Sequence, residues 1–248
     1  MIQKEKLPLQ GGIHLKILAL ECSASPASVA VIDNGKIISE CFINVKLTHS
    51  QTLMPMVKSA LDLSLIKFDD IDGFAISSGP GSFTGIRIGI SALKGLCIAK
   101  KLPCVGVSTL RSIAENFKGQ NAVICAVMDA RCNQVYNALF KVDGDNINRL
   151  CEDRALMCTE LAEQLSKYNE KIIICGDGAD LFYKFVNDNK NTVLAPEKLK
   201  YQSATGVGLC AYGEFLSGNT VSAEKLLPVY LRLPQAEREL KAKKEKEK

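Results

Sequence analysis

Hydrophobic positions along the chain fall into two successions of short runs with the same order. In the first half, Leu15–Leu20 and Ser28–Asp33 are apolar runs of strand length. Asn34-Gly35 is a two-residue hairpin signal that joins the second run to Lys36–Asn44, completing a three-strand meander. A helical pattern follows, then a strand at Ile71–Ile76, a glycine-rich turn, and an apolar segment at helical spacing to Lys101. Val105-Gly-Val107 reads as one more strand, and Ser108 caps a helix that runs to about Phe117. The second half repeats this succession. Asn121–Met128 and Gln134–Val142 are strands, Asp143-Gly144 is the turn, and a third strand lies near Asn148–Glu152. Thr159 to about Lys167 is helical, Ile172–Cys175 is a strand ending at Gly176-Asp-Gly178, and Ser203–Leu216 is a helix. The order meander, helix, strand, Gly-x-Gly, helix occurs twice. It predicts two similar α/β lobes with a boundary near Lys118-Gly-Gln120.

Two helices carry more apolar or small surface than a lobe's own core requires. Around Leu53–Leu65, apolar positions cover an arc of about 200°, roughly twice what packing on one core demands. Pro55 fits the first turn, so the regular helix is expected to start near Thr52. In the helix after the glycine turn, Gly85, Gly89, Ala92, Gly95 and Ala99 recur every three or four residues. Interior glycines each weaken a helix by about 1 kcal/mol, so a packing reason is expected, such as the close approach of another backbone. Leu53, Met56, Val57 and Ala60 on the first helix, with Gly85, Gly89, Ala92, Leu93 and Leu96 on the second, are therefore the candidate surface for a protein partner.

The run Ser77-Ser-Gly-Pro-Gly-Ser-Phe-Thr-Gly-Ile-Arg-Ile-Gly89 sits between a strand and a helix N-terminus. Such a turn gathers free backbone N–H groups and can cradle an anion through Gly79, Gly81, Ser82 and Thr84. It matches neither familiar phosphate pattern. No lysine follows the glycines as in G-x-x-x-x-G-K-[ST], and Thr84 stands where G-x-G-x-x-G needs its last glycine. The glycines serve equally well for a tight turn with close packing.

Composition narrows the function classes. Net charge is +4, and the tail from Glu237 to Lys248 carries half of it, leaving a body too balanced to mark a nucleic-acid binder. No apolar run reaches the length of a membrane span, and the N-terminus lacks the apolar centre of a signal peptide, so a cytoplasmic protein is expected. Ten cysteines include no C-x-x-C pair and fall mostly in apolar runs, as small buried hydrophobes of a reducing compartment do. The two histidines, His14 and His49, stand apart from any cysteine cluster, so no metal site is expected. With no second ligand at suitable spacing, His49 reads as a capping or surface residue.

Ile17-Leu-Ala-Leu-Glu-Cys-Ser23, His49-Ser50 leading into Leu53-Met-Pro55, and Ser78-Gly-Pro-Gly-Ser-Phe-Thr-Gly-Ile-Arg-Ile-Gly-Ile90 together resemble the TsaB (YeaZ) family. Met128-Asp-Ala-Arg131 and Pro228-Val-Tyr-Leu-Arg232 fit the same family, and the likeness runs from about Leu15 to Pro234. It implies a duplicated ribonuclease-H-like fold of the actin-like ATPase superfamily. The corresponding division is an extension at 1–14, lobes at 15–118 and 119–234, and a charged tail at 235–248. The resemblance also implies a non-catalytic partner of the enzyme TsaD, with the ATPase TsaE as a third component. That complex places threonylcarbamoyl on the adenosine next to the anticodon of tRNA. The helices near 53–65 and 85–100 would contact TsaD, or form a homodimer when TsaD is absent. Contact with tRNA would be indirect, no cofactor would be firmly held, and an ATP or ADP site would be weak or shared with the partners.

The residues at the catalytic positions of that superfamily argue the same way. Where an Asp and a Gly should approach the phosphates, the first hairpin has Glu21-Cys-Ser-Ala-Ser-Pro26. The second has Asp129-Ala-Arg-Cys132, with a bulky Arg131. No second carboxylate set is evident to hold a metal for phosphoryl transfer. Catalytic relatives carry H-x-x-x-H after a similar Gly-Pro-Gly and helix, and those positions here are Thr109 and Ile113, neither of which replaces a histidine ligand. An active actin-like ATPase or carbohydrate kinase is the alternative from another class. A direct tRNA binder using the Lys-rich tail is a third.

Overall fold

A computed structural model describes residues 14–45, 47–186 and 191–232. The charged tail and all but the end of the N-terminal extension lie outside the described residues. The first sheet starts with a meander of β1 (Lys16–Glu21), β2 (Ala27–Asp33) and β3 (Lys36–Ile43). At its first tight turn Asn34 and Gly35 both take positive φ, 49° and 75°, which the right-handed twist of a two-residue hairpin requires. Helix α1 (His49–Ser64) leads to β4 (Gly73–Gly79), then α2 (Phe83–Lys100), β5 (Cys104–Ser108) and the short α3 (Thr109–Ala114). The strand order is β3-β2-β1-β4-β5, with β4 and β5 parallel to β1.

The second half contains β6 (Gln120–Asp129), β7 (Gln134–Gly144), β8 (Asn146–Arg149), β9 (Arg154–Met157) and α4 (Cys158–Leu165). It continues with β10 (Ile172–Cys175), α5 (Ala179–Tyr183), β11 (Thr192–Leu194), α6 (Glu197–Lys200) and α7 (Ala204–Leu216). Read from its meander edge, this sheet runs β8-β7-β6-β10-β11, the order of the first sheet. The duplication is thus one of topology. It differs from the sequence reading at one edge: the strand expected near Asn148–Glu152 is two short pieces, β8 and β9, both paired to β7. The turn sits one residue later than expected, because Asp143 pairs with Asn146.

β1 and β4 are apolar on both faces because helices cover both. On one face Leu18, Leu20, Phe74 and Ile76 meet α1 and α2. On the other, Ile17, Ala19, Ile32 and Val105 meet Ala204, Val207 and Ala211 of α7, a helix from the far end of the chain. The exchange is mutual. Leu110, Ile113 and Ala114 of α3 pack into the second sheet against Ile124, Met128 and Phe140. The two exchanged helices touch each other, and a Cβ on Gly206 would overlap Ser112 O. Beneath them, buried Glu115 pairs with Arg111 at 2.7 Å and Lys118 at 2.8 Å. A cut at residue 118 would therefore strip each sheet of a helix that covers it, although the sequence repeat breaks there.

Candidate functional site

Between the lobes lies a cleft of about 820 Å³. Its first-lobe wall is the β1–β2 hairpin at Ser23–Pro26 and the start of α2, with Gly81–Thr84 and Arg87. Its second-lobe wall is Met128–Arg131 of the β6–β7 hairpin, with Tyr136, Asp177 and Tyr201.

The glycine run is packed on both sides. Gly79 and Gly81 have φ of 131° and 157°, at the reach of a residue without Cβ. A Cβ on Gly79 would overlap Val229 O, and one on Gly81 would overlap Ser23 O. Ser82 N donates to Ser23 O at 2.6 Å, and Ser82 Oγ caps α2 by accepting Gly85 N at 3.3 Å. The amides of Phe83 and Thr84, in the first turn of α2, have no acceptor inside the helix, and both residues face the cleft. Of the four candidate anion contacts, Gly81, Ser82 and Thr84 thus line the cleft, while Gly79 lies buried under Val229.

Three carboxyl groups approach the floor of the cleft. Glu21, fully buried at the end of β1, accepts Ser23 N at 2.6 Å, and burial pushes its carboxyl above the usual range. Asp177 follows β10. Burial first, and then the negative field of Asp129, push its carboxyl up to about 7, and its Oδ1 has no hydrogen-bond partner. Asp129 is engaged inside its own hairpin, accepting Arg131 N at 2.7 Å. Arg131, Cys132 and Asn133 all take positive φ, a tight turn built without glycine. Among the described residues, no three His, Cys, Asp or Glu side chains converge closely enough to hold a metal ion. Thr109 and Ile113 are fully buried. His49 is the first residue of α1 rather than its cap. Its Nε2 lies 2.8 Å from Ala24 O, and its ring lies against the position where Gly85 lacks a Cβ.

The candidate partner surface needs correction. Leu53, Met56, Val57 and Ala60 of α1, and Gly85, Gly89 and Leu93 of α2, face the chain's own first sheet and are buried there. A Cβ on Gly85 would overlap Cys22 O, and one on Gly89 would overlap Cys22 Sγ, so these glycines admit the end of β1 rather than a second molecule. Ala92 and Leu96 are half-buried against the same core. The outer face of α2 carries a different set: Ser91, Gly95, Ile98 and Ala99, with Ile98 63% exposed and no atom within 4 Å of a Cβ on Gly95. Beside it, α1 exposes Met54, and Leu63 and Leu65 at its end are 75% and 91% exposed. The wide apolar arc of α1 had combined an inward face and an outward one. The signal available was that Met54 and Leu65 lie off the stripe of Leu53, Met56, Val57 and Ala60; Leu63, seven residues after Met56, lies at the stripe's edge and is exposed all the same.

Duplicated five-strand frameworks, exchanged helices and an interlobe cleft define a ribonuclease-H-like protein of the actin-like ATPase architecture. A family profile described as "TsaD: tRNA N6-adenosine threonylcarbamoyltransferase" matches residues 37–239. The tRNA threonylcarbamoyladenosine biosynthesis protein TsaB of Escherichia coli is 31% identical over 88% of this chain and 95% of its own length. The protein of the same name from Bacillus subtilis is 28% identical over 90% and 96%. A solved structure of YeaZ from Pseudomonas aeruginosa superposes with a TM-score of 0.76 at 26% identity, covering 88% of this chain and all of that one. The chain belongs to the TsaB family of threonylcarbamoyladenosine-biosynthesis proteins. Likeness to the transferase itself is partial: the Kosmotoga olearia enzyme is 31% identical over 39% of this chain and 34% of its own length. No helix among the described residues is long and apolar enough to cross a membrane.

Proposed function

We propose that this chain is a non-catalytic scaffold subunit. It binds and activates the TsaD protein for N6-threonylcarbamoylation of the adenosine next to the anticodon of tRNA, with TsaE as the third component. The observation that carries this reading is the outer face of α1 and α2, where small and apolar side chains lie open to solvent. The cleft supports it from the other side. Its hairpins offer a bulky Arg131 and a buried Glu21 where phosphates would need glycine and a free carboxylate. A nucleotide, if bound, is weakly held or shared with the partner subunits, and alone the chain pairs with a second copy through the same helix faces.

The decisive experiment is Gly95→Arg. The site is open, so the arginine folds outward without disturbing the core, and its charge lies in the centre of the proposed contact. The variant should keep its circular dichroism spectrum and lose co-elution with TsaD, and tRNA modification by the reconstituted complex should fall with it. Co-elution at normal stoichiometry would overturn the reading. ATP turnover by the purified single chain would instead favour an active ATPase or carbohydrate kinase.

A further inference from the structure

The end of the described chain fastens one lobe and then crosses to the other. Val221 pairs with Cys104 through two backbone bonds of 2.9 Å each, extending the edge of the first sheet. Leu226 is buried in the first-lobe core. Val229 N donates to Ser78 O at 2.8 Å, at the root of the glycine run. The Tyr230 ring stacks on Phe83, with centroids 4.0 Å apart and planes 12° apart, and its hydroxyl accepts Arg87 Nε–H at 2.8 Å. Leu231 then packs against the second-lobe core, and Arg232 Nη1 donates to Ala130 O at 2.5 Å. Phe83 and Arg87 belong to one wall of the cleft and Ala130 to the other. The chain passes between the walls within two residues.

We infer that residues 226–232 form a latch that sets the opening of the interlobe cleft. The Tyr230–Phe83–Arg87 cluster is its anchor and Arg232 is its catch. The asymmetry of the attachments gives the direction of release. On the first lobe the strap holds through a buried leucine, a backbone bond, a ring stack and a side-chain bond. On the second lobe, two side chains hold it. Local opening proceeds through the least-fastened contacts, so the strap releases at Ala130 and stays with the first lobe. The exchanged helices α3 and α7 remain as the hinge, because their contacts with the two sheets and with each other are buried; Leu231 packs against the α3 cluster only from its partly buried edge.

The test is a distance measurement on the full chain. Spin-labelled amino acids are placed at Lys58 on α1 and Glu160 on α4, both exposed and one in each lobe, and pulsed electron resonance reads the separation. In the parent protein the distribution should be single and narrow. Arg232→Ala should broaden it or shift it by more than about 2 Å, the scale of a domain rearrangement. Tyr230→Ala should do the same with the anchor removed. Arg232→Ala loses one hydrogen bond at a half-buried position, so it tests the latch even if Tyr230→Ala proves poorly folded. An unchanged distribution in a folded Arg232→Ala protein overturns the inference. A change accompanied by loss of near-native circular dichroism also overturns it, because the strap would then be a general support rather than a latch.

Discussion

Replacing Gly89 by alanine puts a methyl group where Cys22 Sγ already lies, and 2.7 Å from Ile76 Cδ1. Neither neighbour can move aside easily. Cys22 is fully buried, with its thiol donating to Gly85 O at 3.2 Å, and Ile76 is fully buried in β4. Alanine favours a helix interior over glycine by about 1 kcal/mol. Overpacking a rigid core position costs about 1–3 kcal/mol, and here both the sulfur and the isoleucine must shift. With two rigid neighbours displaced the cost falls in the upper part of that range, so the loss should outweigh the gain and leave the variant less stable by up to about 2 kcal/mol. Gly95 lies six residues further along the same 18-residue helix, on its outer face, with no atom within 4 Å of the added methyl. Only the backbone effect acts there, so Gly95→Ala should gain up to about 1 kcal/mol. Urea unfolding followed by circular dichroism should show the midpoint fall for Gly89→Ala and rise for Gly95→Ala, with the same slope. Thermal midpoints should move by about 2–4 °C per kcal/mol for a protein of this size. A Gly89→Ala protein as stable as the parent would refute the claim that this glycine exists to admit Cys22.

Three more outcomes follow from the site. Asp177 titrates near 7 when folded against about 3.9 when unfolded. The folded state therefore holds the extra proton between those values, and stability falls as pH rises from about 4 to about 7, then levels off. Asp177→Asn should flatten that slope and be more stable than the parent at pH 8. Identical pH dependence of the two urea midpoints would show that Asp177 is not the group responsible. Ser82→Ala removes the cap of α2, which should lower stability by about 1 kcal/mol in the same assay. The Gly95→Arg protein should also lose any self-association in gel filtration along with TsaD binding, because both reactions are assigned to one surface.

Most of the repeated order of strands and helices was legible in the chain because each signal is local. Asn34-Gly35 favours positive φ at both residues, and the short apolar runs at β1, β4 and β6, bounded by turn signals, read as buried strands. The second meander was less legible. β8 and β9 are four residues each and partly exposed, so their pattern is too short to separate from a loop. The glycine run was visible as a special turn, but what fills the space at each glycine was not. Val229 lies 150 residues from Gly79, and Ser23 lies 58 from Gly81, so no spacing rule could connect them.

The same distinction separates the two faces of α2. Glycine at 85, 89 and 95 is the same signal in the sequence, a residue with nothing beyond its backbone. Periodicity gives angles around a helix axis, but it does not say from which directions neighbours arrive. The sequence by itself determined the two-lobed frame, the special turn at 77–89 and the departures from a phosphate-binding hairpin, because these depend on backbone conformation and residue type at neighbouring positions. Only the tertiary structure decided that Gly89 faces Cys22 while Gly95 faces solvent. It alone showed that α3 and α7 cover each other's sheets, and that the chain's last strap crosses from Phe83 to Ala130. Each of these is a contact between segments far apart in the chain, made when the lobes close their cores against one another.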